Sequence, residues 1–142
     1  MGYRFIEDIA ISDIAFEADG ATIDGLFSNA AKALTAAMID NPKSIRLEKS
    51  VKFEVSSRTL EMLLFSFLNK IIFYKDSMRI LFGKFEVKTS ENKVYELRCT
   101  AYGEELDAEK QKLAADVKAV TMHMLRVWKE NDKWHARVIL DV

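Results

Sequence analysis

The chain has 142 residues, 49% of them hydrophobic, and its charge is nearly balanced, with 21 Lys and Arg against 22 Asp and Glu. That length suits one domain with a full core, and the lack of a basic excess argues against a free-standing nucleic-acid binder. The single cysteine, Cys99, excludes an intramolecular disulfide and a cysteine-based zinc site.

The opening residues MGYRFIEDIA lack the apolar core of a signal peptide, and no run reaches transmembrane length. A cytoplasmic protein without membrane contact is the expectation. Tyr3 to Asp8 and Asp13 to Ala18 read as short strands, and Asp19-Gly20 as a turn. Thr22 opens a helix to about Met38, with Leu26, Phe27, Ala30, Ala33, Leu34, Ala37 and Met38 on its inward side. Asn41-Pro42 ends it. Ser44 to Val55 alternates apolar and charged residues, as a strand or hairpin with a wet face. Ser57 or Thr59 caps a second helix reaching about Tyr74, whose Leu60, Leu63, Leu64, Phe67, Leu68, Ile71 and Ile72 keep helical spacing over three turns.

Leu81 to Lys88 and Val94 to Tyr102 are the next strands, with a turn at Thr89 to Asn92 and Cys99 as a small buried hydrophobe. Glu104 to Asp116 is dense in charge and reads as a surface helix or a long exposed loop. Asp116 to Val142 reads as two long strands joined by the turn Glu130-Asn131-Asp132-Lys133. The whole is α+β: a two-layer domain with a mostly antiparallel sheet and two main helices packed on it.

The last strand keeps Trp134, Ala136, Val138, Leu140 and Val142 on one face to the end of the sequence, so that end is expected to be paired into a sheet. The Asp141 carboxylate and the free carboxylate of Val142 then lie side by side with nothing basic after them. A hard divalent cation, which takes several oxygen ligands, is one physical answer to that charge; for any one aspartate, a solvated surface role is the commoner alternative. Asp8 and Asp13 are the other acidic residues near strand ends, and Asp13 converges on Asp141 if its strand lies beside the last one. His123 approaches Asp141 only if the final hairpin turns with an even register; a one-residue slip separates them. Otherwise His123 is a structural histidine, and His135 falls on the exposed side of its strand. No GxGxxG, P-loop, GxSxG or HExxH occurs, which tilts the reading away from an enzyme.

Six stretches together resemble the archease family, small proteins that assist the tRNA-splicing RNA ligase. They are Ser12-Asp13-Ile14, Leu26 to Leu34 (LFSNAAKAL), Leu81 to Phe85 (LFGKF), Ala101 to Glu105 (AYGEE), Val117 to His123 (VKAVTMH) and the terminal Ala136 to Val142 (ARVILDV). The resemblance implies a protein cofactor without turnover of its own, which promotes guanylylation and repeated turnover of the ligase, with RNA involved only indirectly. It also implies a divalent-cation site at Asp13, Asp141 and Val142. Oxygen-only ligation there suits calcium, magnesium or manganese. Two departures stand out: the family often has His-Thr-Ala-Asp where this chain has Ala10-Ile11-Ser12-Asp13, and a frequent histidine of the charged segment is replaced by Gln111 or its neighbours. The alternatives are a general chaperone or binding module for RNA-modifying enzymes such as tRNA methyltransferases, and a small metal-dependent hydrolase.

Overall fold

Two threonines set where the helices begin. Thr22 Oγ1 accepts from the Gly25 amide at 3.0 Å and starts α1 (Ile23–Met38); Thr59 Oγ1 accepts from the Met62 amide at 3.1 Å and starts α2 (Leu60–Met78). Each cap satisfies an amide the helix itself cannot, worth about 1 kcal/mol. The second helix runs a turn past Tyr74 and stops at Arg79, whose φ of 51° is left-handed.

A computed structural model describes residues 2–6 and 13–142. Its strands are β1 (Tyr3–Ile6), β2 (Asp13–Gly20), β3 (Lys49–Ser57), β4 (Ile80–Glu91), β5 (Tyr95–Glu105), β6 (Ala119–Val120), β7 (Arg126–Glu130) and β8 (Lys133–Asp141). The expected α+β class with antiparallel pairing and two helices is what is found, and the strands divide into two sheets. One runs β1-β2-β8-β6, with β7 also on β8; the other runs β3-β5-β4. Phe16, Phe27, Leu34, Phe67, Phe82 and Val138, all fully buried, belong to one core shared by helices and sheets.

Polar side chains on each helix close an open sheet edge. Along β4, Asp24 Oδ1 accepts from the Thr89 amide (2.8 Å), while the Ser28 and Thr35 hydroxyls donate to the carbonyls of Phe85 (3.2 Å) and Phe82 (2.8 Å). At the other sheet, Asn69 of α2 exchanges bonds with the backbone of Val120, and Glu61 Oε2 accepts from the Val127 amide at 3.0 Å. Unpaired strand edges invite foreign strands. Here, side-chain carboxylates, amides and hydroxyls stand in for the missing neighbour.

Several boundaries differ from the sequence reading for identifiable reasons. Asp19-Gly20 continues β2 rather than turning, because Gly20 lies against α1, where an added Cβ would meet the Leu26 amide nitrogen at 2.3 Å. The Ser44 to Val55 strand starts only at Lys49, after a single turn at Pro42–Ser44. The Thr89–Asn92 turn moves to residues 92–94, with Thr89 kept in β4 by Asp24. A one-residue register shift at Gly83 separates Phe82, opposite Gly103, from Lys84, opposite Tyr102. Gly103 has no alternative there, since an added Cβ would sit 1.8 Å from the Leu81 carbonyl oxygen. Glu7 and Asp8, placed in the first strand from sequence, lie outside the described residues.

Glu104 to Asp116 resolves as a loop once β5 ends, and buried polar groups pin it. Gln111, only 7% exposed, donates from Nε2 to Glu104 Oε1 (2.8 Å) and to the Glu105 carbonyl (3.0 Å), and accepts from the Asp107 amide (2.7 Å). Glu104, equally buried, also accepts from the Arg46 amide. Leu113 bridges to Ile39 beyond the end of α1. With polar pins in place of an apolar stripe, a surface helix had nothing to pack with.

Candidate metal centre

β2 and β8 pair antiparallel without a shift from Gly20 opposite Trp134 to Asp13 opposite Asp141. The side chains of Ile14, Phe16 and Ala18 and of Trp134, Ala136, Val138 and Leu140 go to the core, which sends those of Asp13 and Asp141 to the other face. Directly opposed residues bring their Cα atoms to about 4.5–5.5 Å, and like charges so placed repel. Asp13 is half-buried and Asp141 exposed. Among the described residues, neither carboxylate takes part in an ion pair.

The end of β8 is flanked on its second side too. Ala119 of β6 lies opposite Asp141, the Lys118 amide donates to the Asp141 carbonyl at 2.8 Å, and the Thr121 amide donates to the Ile139 carbonyl at 3.0 Å. Val142, half-buried, packs against the core. The sheet therefore holds Asp141 between Asp13 and Ala119. Among the described residues no three His, Cys, Asp or Glu side chains gather into a metal cage. This end offers two side-chain carboxylates and whatever main-chain oxygens follow them. Two hard, closely set carboxylates fit an oxygen-seeking divalent cation in charge and in donor type, and they leave coordination positions open.

His123 is not part of this arrangement. The two long strands expected from Asp116 onward are β6, a break, β7 and β8. Asn131 (φ 52°) and Asp132 (φ 62°) make a two-residue turn with both central residues left-handed, which sets Glu130 opposite Lys133. Hairpins favour that geometry because its twist matches the strands. The resulting register is odd, not even, and it changes by three residues between Arg126 opposite Arg137 and Val120 opposite Leu140. His123 lies in the exposed turn that absorbs those extra residues, with Met124 at φ 54°, and Ala119 takes the place opposite Asp141. His135 is on the outward side as expected, but half-covered: its ring stacks on Trp128 with centroids 5.4 Å apart.

Farther along the same outward face, Glu17 is held by two arginines. Arg137 donates to Oε2 from Nη2 (2.9 Å) and Nε (3.2 Å), and Arg4 donates to Oε1. Burial pushes the Glu17 carboxyl up, but the bonds and charges of Arg137 and Arg4 outweigh it, leaving the group below its ordinary value. The Cys99 thiol is pushed up to about 12 by burial, with the Glu86 charge adding to it, so no thiolate forms near neutral pH. Sequence reasoning missed the Glu17 cluster and the Glu104–Gln111 pin. The first had a signal, an acid and a base at outward positions of two apolar strands; the second, a long-range contact inside a charged stretch, had none.

The structure is an antiparallel α+β domain with a pair of opposed carboxylates at one sheet end. The particular family follows from comparison: residues 3–142 match the family described as the Archease protein family (MTH1598/TM1083), and the chain belongs to it. Protein archease of Methanothermobacter thermautotrophicus is 35% identical over 142 residues, 99% of each chain, and that of Pyrococcus furiosus is 33% identical over 133 residues, 92% of this chain and 93% of the relative. The solution structure of Methanobacterium thermoautotrophicum protein 1598 superposes with a TM-score of 0.87 at 34% identity, covering 99% of both chains. The crystal structure of a Thermotoga maritima archease, named there as a possible chaperone, shares the fold with a TM-score of 0.63 at 20% identity over 98% of both. Among the described residues no helix is long and apolar enough to cross a membrane.

Proposed function

We propose that this archease-family protein is a non-catalytic protein cofactor of the tRNA-splicing RNA ligase, with a divalent cation held at Asp13, Asp141 and Val142. One observation carries the reading: Asp13 and Asp141 are opposed in adjacent strands, and among the described residues neither takes part in an ion pair. Calcium, magnesium or manganese suits such oxygens. When bound, the cation supplies positive charge that can stabilise phosphoryl oxygens at the ligase's nucleotide site.

The protein's own groups position that charge. β8 is gripped on both sides, by β2 and by β6, so the two carboxylates are fixed before a partner arrives. RNA enters only through the ligase. The reading is tested by ligase guanylylation and multiple-turnover assays with wild-type protein and with Asp13→Ala or Asp141→Ala. Loss of activation by both variants, with the fold intact, supports it; full activation by both overturns it. Protection of unrelated RNA-modifying enzymes from aggregation, insensitive to chelator, supports a general chaperone role instead.

A further inference from the structure

The helices seal β4 and the β6–β7 side, but β3 is left as an open edge. Among the described residues, no element other than β5 bonds to its backbone. A nine-residue edge is a template for another strand. The sequence of this one is self-complementary. Ser50-Val51-Lys52-Phe53-Glu54-Val55-Ser56 reads the same in both directions except that Lys52 and Glu54 exchange, which is the exchange that charge pairing requires.

Only alternate residues of a strand turn their N–H and C=O outward, so two identical edges pair antiparallel about a twofold axis only when that axis passes through a residue. At Lys52 or Glu54 the axis sets two like charges face to face. At Val51 it sets Phe53 against Lys49, and at Val55 it sets Lys52 against Arg58. At Phe53 every pair is compatible: Lys52 with Glu54 twice, Val51 with Val55 twice, Ser50 with Ser56 twice. Lys52 and Glu54 are exposed, and Glu54 already bonds Arg98 at 3.0 Å on its own sheet, so Lys52 of a second copy would extend that row. Apolar surface continues beside the edge: Phe53 packs on Tyr74 (5.5 Å between centroids) and Tyr74 on Phe73 (5.5 Å), and Phe73 is 56% exposed.

We infer that this protein forms a twofold homodimer through antiparallel pairing of β3 with β3 of a second copy, centred on Phe53, joining two three-stranded sheets into one of six strands. The test is the mass of the full chain in solution over a micromolar to millimolar concentration series, by sedimentation or light scattering. The wild type is expected to shift from the 16.3 kDa monomer to twice that mass. Lys52→Glu and Glu54→Lys should each stay monomeric, and the doubly exchanged variant should dimerise again, with circular dichroism confirming that all four are folded. In a parallel measurement, a Ser50→Cys chain mixed with a Ser56→Cys chain should cross-link as a heterodimer on oxidation. A wild type that is monomeric throughout, single variants that dimerise as it does, or a double variant that does not recover each overturns the inference.

Discussion

Asp13 stands directly opposite Asp141 across the β2–β8 ladder, two negative charges on one face of a sheet with Ala119 on the far side of Asp141. Without a cation this pair destabilises the end of the sheet by a few tenths to about 1 kcal/mol. Asp13→Asn or Asp141→Asn should therefore raise the melting temperature in chelator. Both should also lose the rise that calcium, magnesium or manganese gives the wild type, which grows with the ratio of free cation to its dissociation constant. Melting curves with and without each cation check both halves. An undiminished cation-dependent rise in the two variants would remove these carboxylates from the proposed site.

The Gln111–Glu104 pin makes a separate claim about the 104–116 loop. Gln111→Ala strands the buried Glu104 carboxylate oxygen together with the Glu105 carbonyl and the Asp107 amide, at a cost of about 1–3 kcal/mol, and leaves the loop without its centre. Proteolysis at Lys110 and Lys112 should speed up well before global unfolding. Unchanged cleavage would show that the Leu113–Ile39 bridge orders the loop by itself.

Acid should act through Glu104 and Glu17. The Glu104 carboxyl is held below its ordinary 4.5 chiefly by the Arg46 amide, which with Gln111 outweighs the opposing effect of burial. A carboxyl depressed in the folded state contributes stability that is fully present above its unfolded pKa and is lost as pH falls through its folded one. Stability should thus decline from about pH 5 downward. Glu104→Gln and Glu17→Gln should each flatten part of that decline in denaturant titrations at successive pH values; identical slopes in all three proteins would contradict it.

How much of this was legible beforehand depended on the range of the interaction concerned. Helix spacing and the strand alternation of Trp134 to Val142 are local, and both survive in the structure. The pairing that joins Asp13 to Asp141 spans nearly the whole sequence; alternation put each residue on a strand margin, but only the fold makes them neighbours. The His123 expectation failed because the left-handed turn at Asn131 and Asp132 gives β7 an odd register, and the three residues that restore an even one at β6 leave His123 in a turn outside any strand. The resembling stretches also separate by role. Three of them meet at the carboxylate end, through Asp13, through Lys118 to Thr121 and through Asp141. By contrast, the Leu81 to Phe85 and Ala101 to Glu105 stretches meet at the Gly83 register shift, where Gly103 and Glu104 serve the fold.

Asn69 gives the edge-sealing role of α2 a direct test. Its side-chain amide accepts from the Val120 amide at 2.9 Å and reaches the Val120 carbonyl, standing in for a strand beside β6. Asn69→Ala leaves both backbone groups without a protein partner, for a loss of about 1–3 kcal/mol. Asn69→Asp keeps the acceptor and should recover part of it. Hydrogen exchange at Val120 should accelerate most in the alanine variant, and equal rates in all three proteins would show that water serves that edge as well.

Arg79 allows a prediction in the stabilising direction. It ends α2 with φ 51° and ψ 54°, a left-handed conformation that costs a residue with a Cβ about 1–2 kcal/mol. Helices commonly end there on glycine for that reason. The Arg79 side chain is exposed and makes no ion pair among the described residues, and the bond its carbonyl accepts from the Leu106 amide at 2.7 Å belongs to the backbone. Arg79→Gly should keep that bond while relieving the strain, offset in part by glycine's greater freedom in the unfolded chain. A net gain of about 0.5–1 kcal/mol is expected, a rise of about 2–4 °C in melting temperature for a domain of this size. Arg79→Ala keeps the strain and should give no such rise, so a gain shared by both variants would trace to removal of the side chain rather than to the backbone.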